Sequence, residues 1–485
     1  MKKKIYFLSA LLLVFLFLDW FVSSQARALR IDRNILYSVD DVFRFCYLKA
    51  SFYHPVIFLN PNLKILSMMI SRLFFALLPD GMLSLRVMSS IFSVATIAFL
   101  YKVTRIVNPG NKLPVLPVLF TLTSAVYLLV SVSALAESMF TFFLIAALYL
   151  FYSRRYLFSA LMVSLLPVIR QEGLFFMAAW AIVLARQKGW RYLIVLPAPF
   201  FLWSLANVVF LGHSPIYTVL YFKHLSPNTP TSVLMLPREF NMNIIYFSLP
   251  AFALFAAGLF HERKNKNYLL IFLCVLFHLG FLALSSAIKL FKTGYLSYVI
   301  RLIAPSIPLV SIYMGSGFEF LAQKILRGRK GLAISIVSVF LFSAGMMFGR
   351  IQAFQKVPVV EADSVSERQI FVLKEAGIWL DGYMREKEIN NLYVLGSSAT
   401  NKFVRRIWME LSGKVRYYTI VEWRTLLDMF TFKRTPFINE PVVFICLNDE
   451  DFEYPESFNK TRIKVFPEVS LEFYLLEPQQ TDSTE

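Results

Sequence analysis

The sequence has few of the residues that build metal centres and disulfide frameworks. Of its 485 residues, three are cysteines and five are histidines. The cysteines, Cys46, Cys274 and Cys446, are far apart and lack the spacing of metal ligands, which argues against a cysteine-based metal site. A Cys46–Cys446 disulfide stays open, although no residue pattern favours it. The histidines are too dispersed to predict a metal site.

Charge is also scarce, since 16% of the residues are charged and 57% are hydrophobic. This excludes an ordinary soluble protein. Apolar runs of about 18 residues or more recur, and each can cross a hydrocarbon core of roughly 30 Å. The net charge of +18 lies in short basic clusters between these runs. Such clusters are typical of cytoplasmic loops, so the expected partner is a lipid bilayer and not nucleic acid.

The first apolar run, at about 5–24, follows the cluster Lys2–Lys4. A cleaved signal peptide is an alternative, because Ala26-Arg27-Ala28 resembles a cleavage site. We favour a retained span, because many further spans follow. The next segment, 25–82, is interrupted by prolines and too polar to be a simple span. Within it, the apolar spacing from Phe43 to Ala50 predicts an amphipathic helix along the membrane interface.

Ten further spans are expected, which makes eleven in all, in residues 1–350. They lie at about 83–107, 113–131, 136–153, 156–170, 173–186, 191–211, 242–260, 267–288, 298–320 and 331–350. Five alternate connections between them carry clusters of Lys and Arg. With eleven spans, all five fall on the side of Lys2–Lys4, as the positive-inside rule requires.

Residues 351–485 are more charged and contain no apolar run of spanning length. Strand-like runs are predicted at Asn391–Leu395, Val415–Ile420, Pro441–Leu447, Arg462–Phe466 and Leu471–Leu476. Helical patterns such as Glu367–Met384 separate them, so we expect a small mixed α/β domain. With an odd number of spans, this domain lies on the extracytoplasmic side.

Acidic and basic side chains converge on that same side. Asp40 and Asp41 occupy the first outward loop, and Glu137, Arg170 and Glu172 the next outward turns. The later outward segments add three basic or titratable candidates, Lys223, His224 and Arg301. Ionisable groups at membrane depth are costly, so they are candidates for a functional site.

Each candidate also has a purely structural interpretation. In the structural interpretation, Asp40 or Asp41 caps the helix that follows. Glu137 is then a carboxylate favoured at the start of a helix by the helix dipole. Arg170 and Glu172 are alternatively a mutual ion pair or snorkelling groups. Arg301 is alternatively a headgroup anchor, and His224, like the other histidines, an ordinary structural residue.

The chemistry that suits this set is sugar transfer from a polyprenyl phosphate. A carboxylate would take the proton of an acceptor hydroxyl, which attacks the anomeric carbon as the phosphate leaves. The leaving phosphate calls for a cation such as Arg or Lys. A lipid-linked donor also explains why such a catalyst would lie in a membrane.

The chain also resembles GT-C fold glycosyltransferases, a group that includes protein O-mannosyltransferases, aminoarabinose transferases and GPI mannosyltransferases. Asp40-Asp41 after the first span resembles the acidic pair of that fold. Four later stretches resemble its motifs in order, namely Ala136-Glu137-Ser138-Met139-Phe140, Ile169-Arg170-Gln171-Glu172-Gly173, Gly212-His213-Ser214-Pro215-Ile216-Tyr217 and Arg301-Leu302-Ile303-Ala304-Pro305. Two departures are Asp41, where Glu is common, and Gln171, where Pro is common.

The resemblance implies an inverting transfer, mannose-like hexose favoured, from an isoprenoid-phosphate donor to a glycan, lipid or protein acceptor. It implies Asp40 and Asp41 as catalytic residues and Glu137, Arg170, Glu172, Lys223, His224 and Arg301 as substrate-binding residues. No cofactor is firmly implied, and a divalent cation stays open. The expected location is the plasma membrane, or the ER membrane in a eukaryote. The rival hypothesis is a transporter or lipid flippase, although we find no pair of related halves of the kind common in transporters.

Overall fold

Helices make up most of the chain up to residue 325, and a β-sheet lies near its C-terminal end. The computed structural model describes residues 44–45, 48, 51, 65–78, 81–110, 113–187, 189–211, 251–293, 300–325, 367–389, 391–395, 407, 416–420, 441–447 and 458–478. The chain divides into two compact units. Residues 64–205 and 220–362 belong to the first, and residues from 363 onward to the second. The predicted domain boundary at residue 350 and the predicted first span lie outside the described residues.

Apolar helices follow one another through the first part of the chain. Their bounds are α1 Ile65–Leu77, α2 Gly81–Val107, α3 Leu116–Leu122, α4 Ala125–Ser131, α5 Glu137–Tyr152, α6 Tyr156–Ser164, α7 Leu166–Ile169, α8 Gly173–Arg186, α9 Ala198–Leu211, α10 Ala251–Glu262, α11 Leu269–Thr293 and α12 Ile307–Ile325. Among the described residues, two stretches are long and apolar enough to cross a membrane, Leu83–Val107 and Lys266–Ala283. The count of eleven spans therefore stays a prediction.

Two of the predicted spans each consist of two shorter helices, and one helix of each pair has a proline in its first turn. The expected span 113–131 consists of α3 and α4, and Pro117 lies in the first turn of α3. The expected span 156–170 consists of α6 and α7, with Pro167 in the first turn of α7. Proline has no backbone N–H and is tolerated at the start of a helix, where that group has no intrahelical partner. Each of these two predicted spans therefore comprises two short helices, and whether each crosses the membrane as one unit stays a prediction.

Helix α5 lies at the centre of the first unit, in contact with α2 and α6. Its residues Leu144, Ile145 and Ala147 are fully buried. A short polar chain ties it to two neighbours: Trp180 Nε1 of α8 donates to Ser159 Oγ of α6 at 2.9 Å. Ser159 Oγ in turn donates to the backbone oxygen of Ala147 at 2.7 Å. The indole N–H of Trp180 and the hydroxyl of Ser159 thus each have a partner, as an apolar environment favours.

Helices α10 and α12 cross with their backbones in contact. A Cβ added at Gly258 would lie 2.0 Å from the backbone oxygen of Tyr313, and one at Gly317 would lie 2.0 Å from that of Leu254. Small residues permit such close crossings between helices in membranes. No larger side chain fits at either position without separating the two helices.

The second unit contains helix α13, Glu367–Glu386, and a five-stranded sheet. The strands are β1 Asn391–Leu395, β2 Arg416–Ile420, β3 Val442–Leu447, β4 Phe458–Phe466 and β5 Leu471–Pro478, in the order β2-β1-β3-β5-β4. Strand β1 pairs in parallel with β2 and β3, whereas β5 is antiparallel to β3 and β4. This mixed sheet confirms the predicted α/β architecture.

The interfacial helix predicted near residues 43–50 is described in part. Arg44, Phe45, Leu48 and Ser51 are helical and buried. The residues that defined its predicted apolar face, Phe43, Cys46, Tyr47 and Ala50, lie outside the described residues.

Candidate active site

Glu137 is the first residue of α5 and its side chain is buried, with 1% of the residue exposed. An irregular segment, 132–136, precedes it and needs partners for its backbone carbonyls. Serines of α2 bind the chain at both ends of this segment: Ser89 Oγ donates to the backbone oxygen of Leu135 at 3.4 Å, and Ser90 Oγ to that of Ser131, the last residue of α4, at 3.2 Å. Because the segment is held on both sides, the start of α5 and Glu137 are fixed in place.

Arg170 and Glu172 lie in the sharp corner between α7 and α8. Arg170 ends α7 in an extended backbone conformation, and Glu172 directly precedes Gly173, the first residue of α8. A Cβ at Gly173 would lie 2.3 Å from the carbonyl carbon of Leu166 and from the nitrogen of Pro167. Only glycine lets the chain fold back this closely, so Gly173 sets the geometry that brings the two charged residues together.

These three charged residues form a buried ion-pair cluster. The Arg170 guanidinium contacts Glu137 through Nη1. It binds Glu172 with two bonds, Nη2 to Oε1 at 2.8 Å and Nε to Oε2 at 3.2 Å. Arg170 is 5% exposed. Such a two-pronged contact is the strong, directional form of an arginine–carboxylate pair, and it links α5 to the α7–α8 corner.

A row of three neighbouring aromatic rings lies next to this cluster. The ring of Phe140, one turn along α5 from Glu137, lies 5.6 Å from that of Phe176 on α8. The ring of Phe176 lies 5.0 Å from the imidazole of His278 on α11. His278 is also close enough to Glu172 and Arg170 to interact electrostatically with both. The sequence analysis missed His278, because a lone histidine in an apolar run looks like an ordinary core residue.

Arg301 lies in the 3-10 helix Ile300–Ser306, which packs against α4, α5, α11 and α12. The segment that carries Arg301 is therefore next to the helix that begins with Glu137. Its backbone is described, whereas the Arg301 side chain lies outside the described part of the chain.

The structure thus brings together three of the predicted site residues, Glu137, Arg170 and Glu172, and sets the segment of Arg301 beside them. Asp40, Asp41, Lys223 and His224 lie outside the described residues, so their roles stay predictions. Of the open interpretations, the mutual ion pair of Arg170 and Glu172 is what the structure contains. Among the described residues, no three His, Cys, Asp or Glu side chains are grouped to hold a metal ion.

No protein-family model and no curated protein matches this chain. A solved structure does match, that of ArnT from Cupriavidus metallidurans bound to undecaprenyl phosphate. It aligns with a TM-score of 0.61 over 98% of this chain and 98% of the other. The two chains share one fold. Their sequences are 11% identical, so the likeness establishes the fold alone. It confirms the expected fold class in part: the described residues are mostly helical and the chain has the fold of that ArnT structure, whereas the GT-C assignment and the eleven spans stay predictions.

Proposed function

We propose that this protein is an integral-membrane inverting glycosyltransferase. It would move a sugar, a mannose-like hexose by preference, from a polyprenyl-phosphate donor to an extracytoplasmic glycan, lipid or protein acceptor. The observation that carries this proposal is the fold shared over 98% of both chains with an ArnT structure that holds undecaprenyl phosphate. The buried Glu137–Arg170–Glu172 cluster supports it, because two of the motif-like stretches meet there.

In the proposed reaction, Asp40 takes the proton of the acceptor hydroxyl, and Asp41 orients the acceptor or shares that proton. The acceptor oxygen then forms a bond to the anomeric carbon of the sugar. The bond from that carbon to the phosphate oxygen breaks on the opposite face, so the configuration inverts. Polyprenyl phosphate leaves with the bonding electron pair, and Arg301 stabilises its charge through charge-assisted hydrogen bonds.

For Arg170 the contacts favour a different role from that of a phosphate ligand. Its Nη1, Nη2 and Nε atoms each meet a carboxylate oxygen. We therefore assign Arg170 to positioning Glu137 and Glu172, which would bind hydroxyl groups of the sugar or acceptor. Lys223 and His224 remain proposed substrate-binding residues, and Arg301 is the proposed principal contact to the donor phosphate.

The proposal places the chemistry, and the α/β domain, on the extracytoplasmic side of the membrane. This follows from the distribution of basic residues between the predicted spans. The protein would then lie in the plasma membrane, or in the ER membrane of a eukaryote.

The test is release of polyprenyl phosphate by the purified full-length protein from a panel of polyprenyl-phosphate sugars. Candidate glycan, lipid and protein acceptors are added separately. Transfer with at least one donor, abolished by Asp40→Asn, is the expected result. Movement of the lipid across a vesicle membrane without release of sugar from any donor would contradict the proposal and favour a flippase.

A further inference from the structure

His278 joins a long helix to the segment that carries Arg301. Its Nδ1 shares a hydrogen bond of 2.6 Å with Ser306 Oγ. His278 lies in α11, and Ser306 is the last residue of the 3-10 helix Ile300–Ser306. His278 is 1% exposed and Ser306 is fully buried. A buried, side chain to side chain bond of this kind fixes the separation of the two elements it connects.

The rest of the imidazole makes packing contacts and forms no hydrogen bond with the described residues. The ring lies against Phe176, and Nε2 is buried without a hydrogen-bond partner among the described residues. A buried polar nitrogen without a partner is destabilising. A phenylalanine would fill the same space without that cost. The Nδ1 contact with Ser306 is therefore the feature that distinguishes histidine from an apolar residue at this position.

The 3-10 helix has a special need for such a contact. Its hydrogen bonds have poorer geometry than those of an α-helix, and Pro305 within it lacks a backbone donor. Ser306 is where this helix passes into α12. The contact at Ser306 therefore holds the end of the segment on which Arg301 depends for its position.

We infer that His278 is a positioning residue for the donor site, which holds the Arg301-bearing 3-10 helix beside the Glu137–Arg170–Glu172 cluster through its bond to Ser306. The expected effect on donor use rests on the proposed function. Loss of the bond lets the segment shift, so binding of the donor phosphate weakens while the acceptor chemistry is little changed. The signature is a rise in donor KM that exceeds any fall in kcat, because Arg301 binds the donor phosphate before as well as during its departure.

Three substitutions of His278 distinguish the roles of its two ring nitrogens. Asparagine carries its amide near the position of Nδ1, glutamine carries its amide near Nε2, and phenylalanine keeps the ring shape without either. We expect His278→Phe and His278→Gln to raise donor KM roughly three- to tenfold, the scale of one net hydrogen bond. His278→Asn should restore a value near that of the wild type. Ser306→Ala should match His278→Phe, and the double variant should be no worse than either, because both remove the same bond.

Binding of undecaprenyl phosphate, followed as thermal stabilisation of the detergent-solubilised full-length protein, gives a second readout that needs no turnover. The matched control is His261→Phe. The imidazole of His261 stacks on the ring of Phe320, with 4.8 Å between the ring centroids, and its side chain is half-exposed. It should leave donor KM unchanged.

The outcomes distinguish the inference from the function beneath it. A wild-type protein that neither binds undecaprenyl phosphate nor uses any donor would refute the proposed function. An active wild type with unchanged donor KM in well-folded His278→Phe and Ser306→Ala would overturn only the positioning role. Rescue by glutamine and not by asparagine would also overturn it, because Nε2 would then be the functional atom.

Discussion

Replacing Arg170 by methionine tests whether the Glu137–Arg170–Glu172 cluster is shielded from water, as the burial of its side chains indicates. Methionine keeps much of the length of the side chain but removes the charge from between two carboxylates. Both carboxylates would then lose a partner, at sites where the side chain of Glu137 is 1% exposed and that of Glu172 is 16% exposed. Removing one partner of a buried ion pair costs about 3–5 kcal/mol. A melting temperature lower by roughly 5–10 °C is the corresponding expectation.

The assay is thermal unfolding of the detergent-solubilised protein at one fixed scan rate, because membrane proteins of this size often unfold irreversibly. The control is Arg385→Met in the α/β unit. Arg385 pairs with Asp381 at 2.7 Å, but its side chain is 63% exposed. An exposed pair contributes only about 0–1 kcal/mol, so this variant should melt close to the wild type.

A second variant separates charge from packing. Combining Arg170→Met with Glu137→Gln and Glu172→Gln removes all three charges and keeps amide hydrogen bonding. Most of the lost stability should return, since an intact buried ion pair is worth little more than a neutral replacement. Activity should stay low under the proposed function. A stable single Arg170→Met variant would refute the reasoning, because the carboxylates would then have to be hydrated or protonated.

Four further outcomes are expected. Asp40→Asn should lower turnover roughly 10²–10⁴-fold with normal folding. Asn caps helices about as well as Asp, so transfer at the wild-type rate by this variant would show that Asp40 acts only as a helix cap. Arg301→Ala should weaken donor use by about 1.5–3 kcal/mol, or roughly 10- to 150-fold in donor KM; unchanged kinetics would leave Arg301 as a headgroup anchor. Gly173→Ala should lower both melting temperature and activity, because its Cβ would meet backbone atoms at 2.3 Å, whereas Gly382→Ala, with open space around it, should be tolerated in both assays. A reporter fused after Glu485 should be active only outside the cytoplasm, and cytoplasmic activity would show that the number of spans is even.

The sequence predicted the elements best where one physical signal acted alone. Helices α2 and α8 were expected at 83–107 and 173–186, and they span Gly81–Val107 and Gly173–Arg186. Both are predominantly apolar segments, and a basic residue lies in the last turn of each. The strands of the α/β unit were likewise located to within a few residues, because short runs rich in β-branched and aromatic residues mark them.

Long-range contacts were less predictable. Arg170 and Glu172 are near neighbours in sequence, and their ion pair was among the interpretations considered. Glu137 was expected on the same side of the membrane, but its direct contact with Arg170 was not, because the sequence does not show that α5 begins against the α7–α8 corner. The serines of α2 were also overlooked. Ser89 and Ser90 lie within a predicted span, and their roles become clear only when their hydroxyls are seen to bind backbone oxygens of Leu135 and Ser131, just before Glu137.

The crossing of α10 and α12 limits how a lipid tail could reach the site. Because Gly258 and Gly317 bring the two backbones into contact, no side chain lies between the helices there that a change of rotamer could move aside. Opening a lateral entrance at this level would require the whole helices to separate and to lose their packing at once. Under the proposed function, a lipid-linked substrate would therefore not pass between α10 and α12 at the level of Gly258 and Gly317.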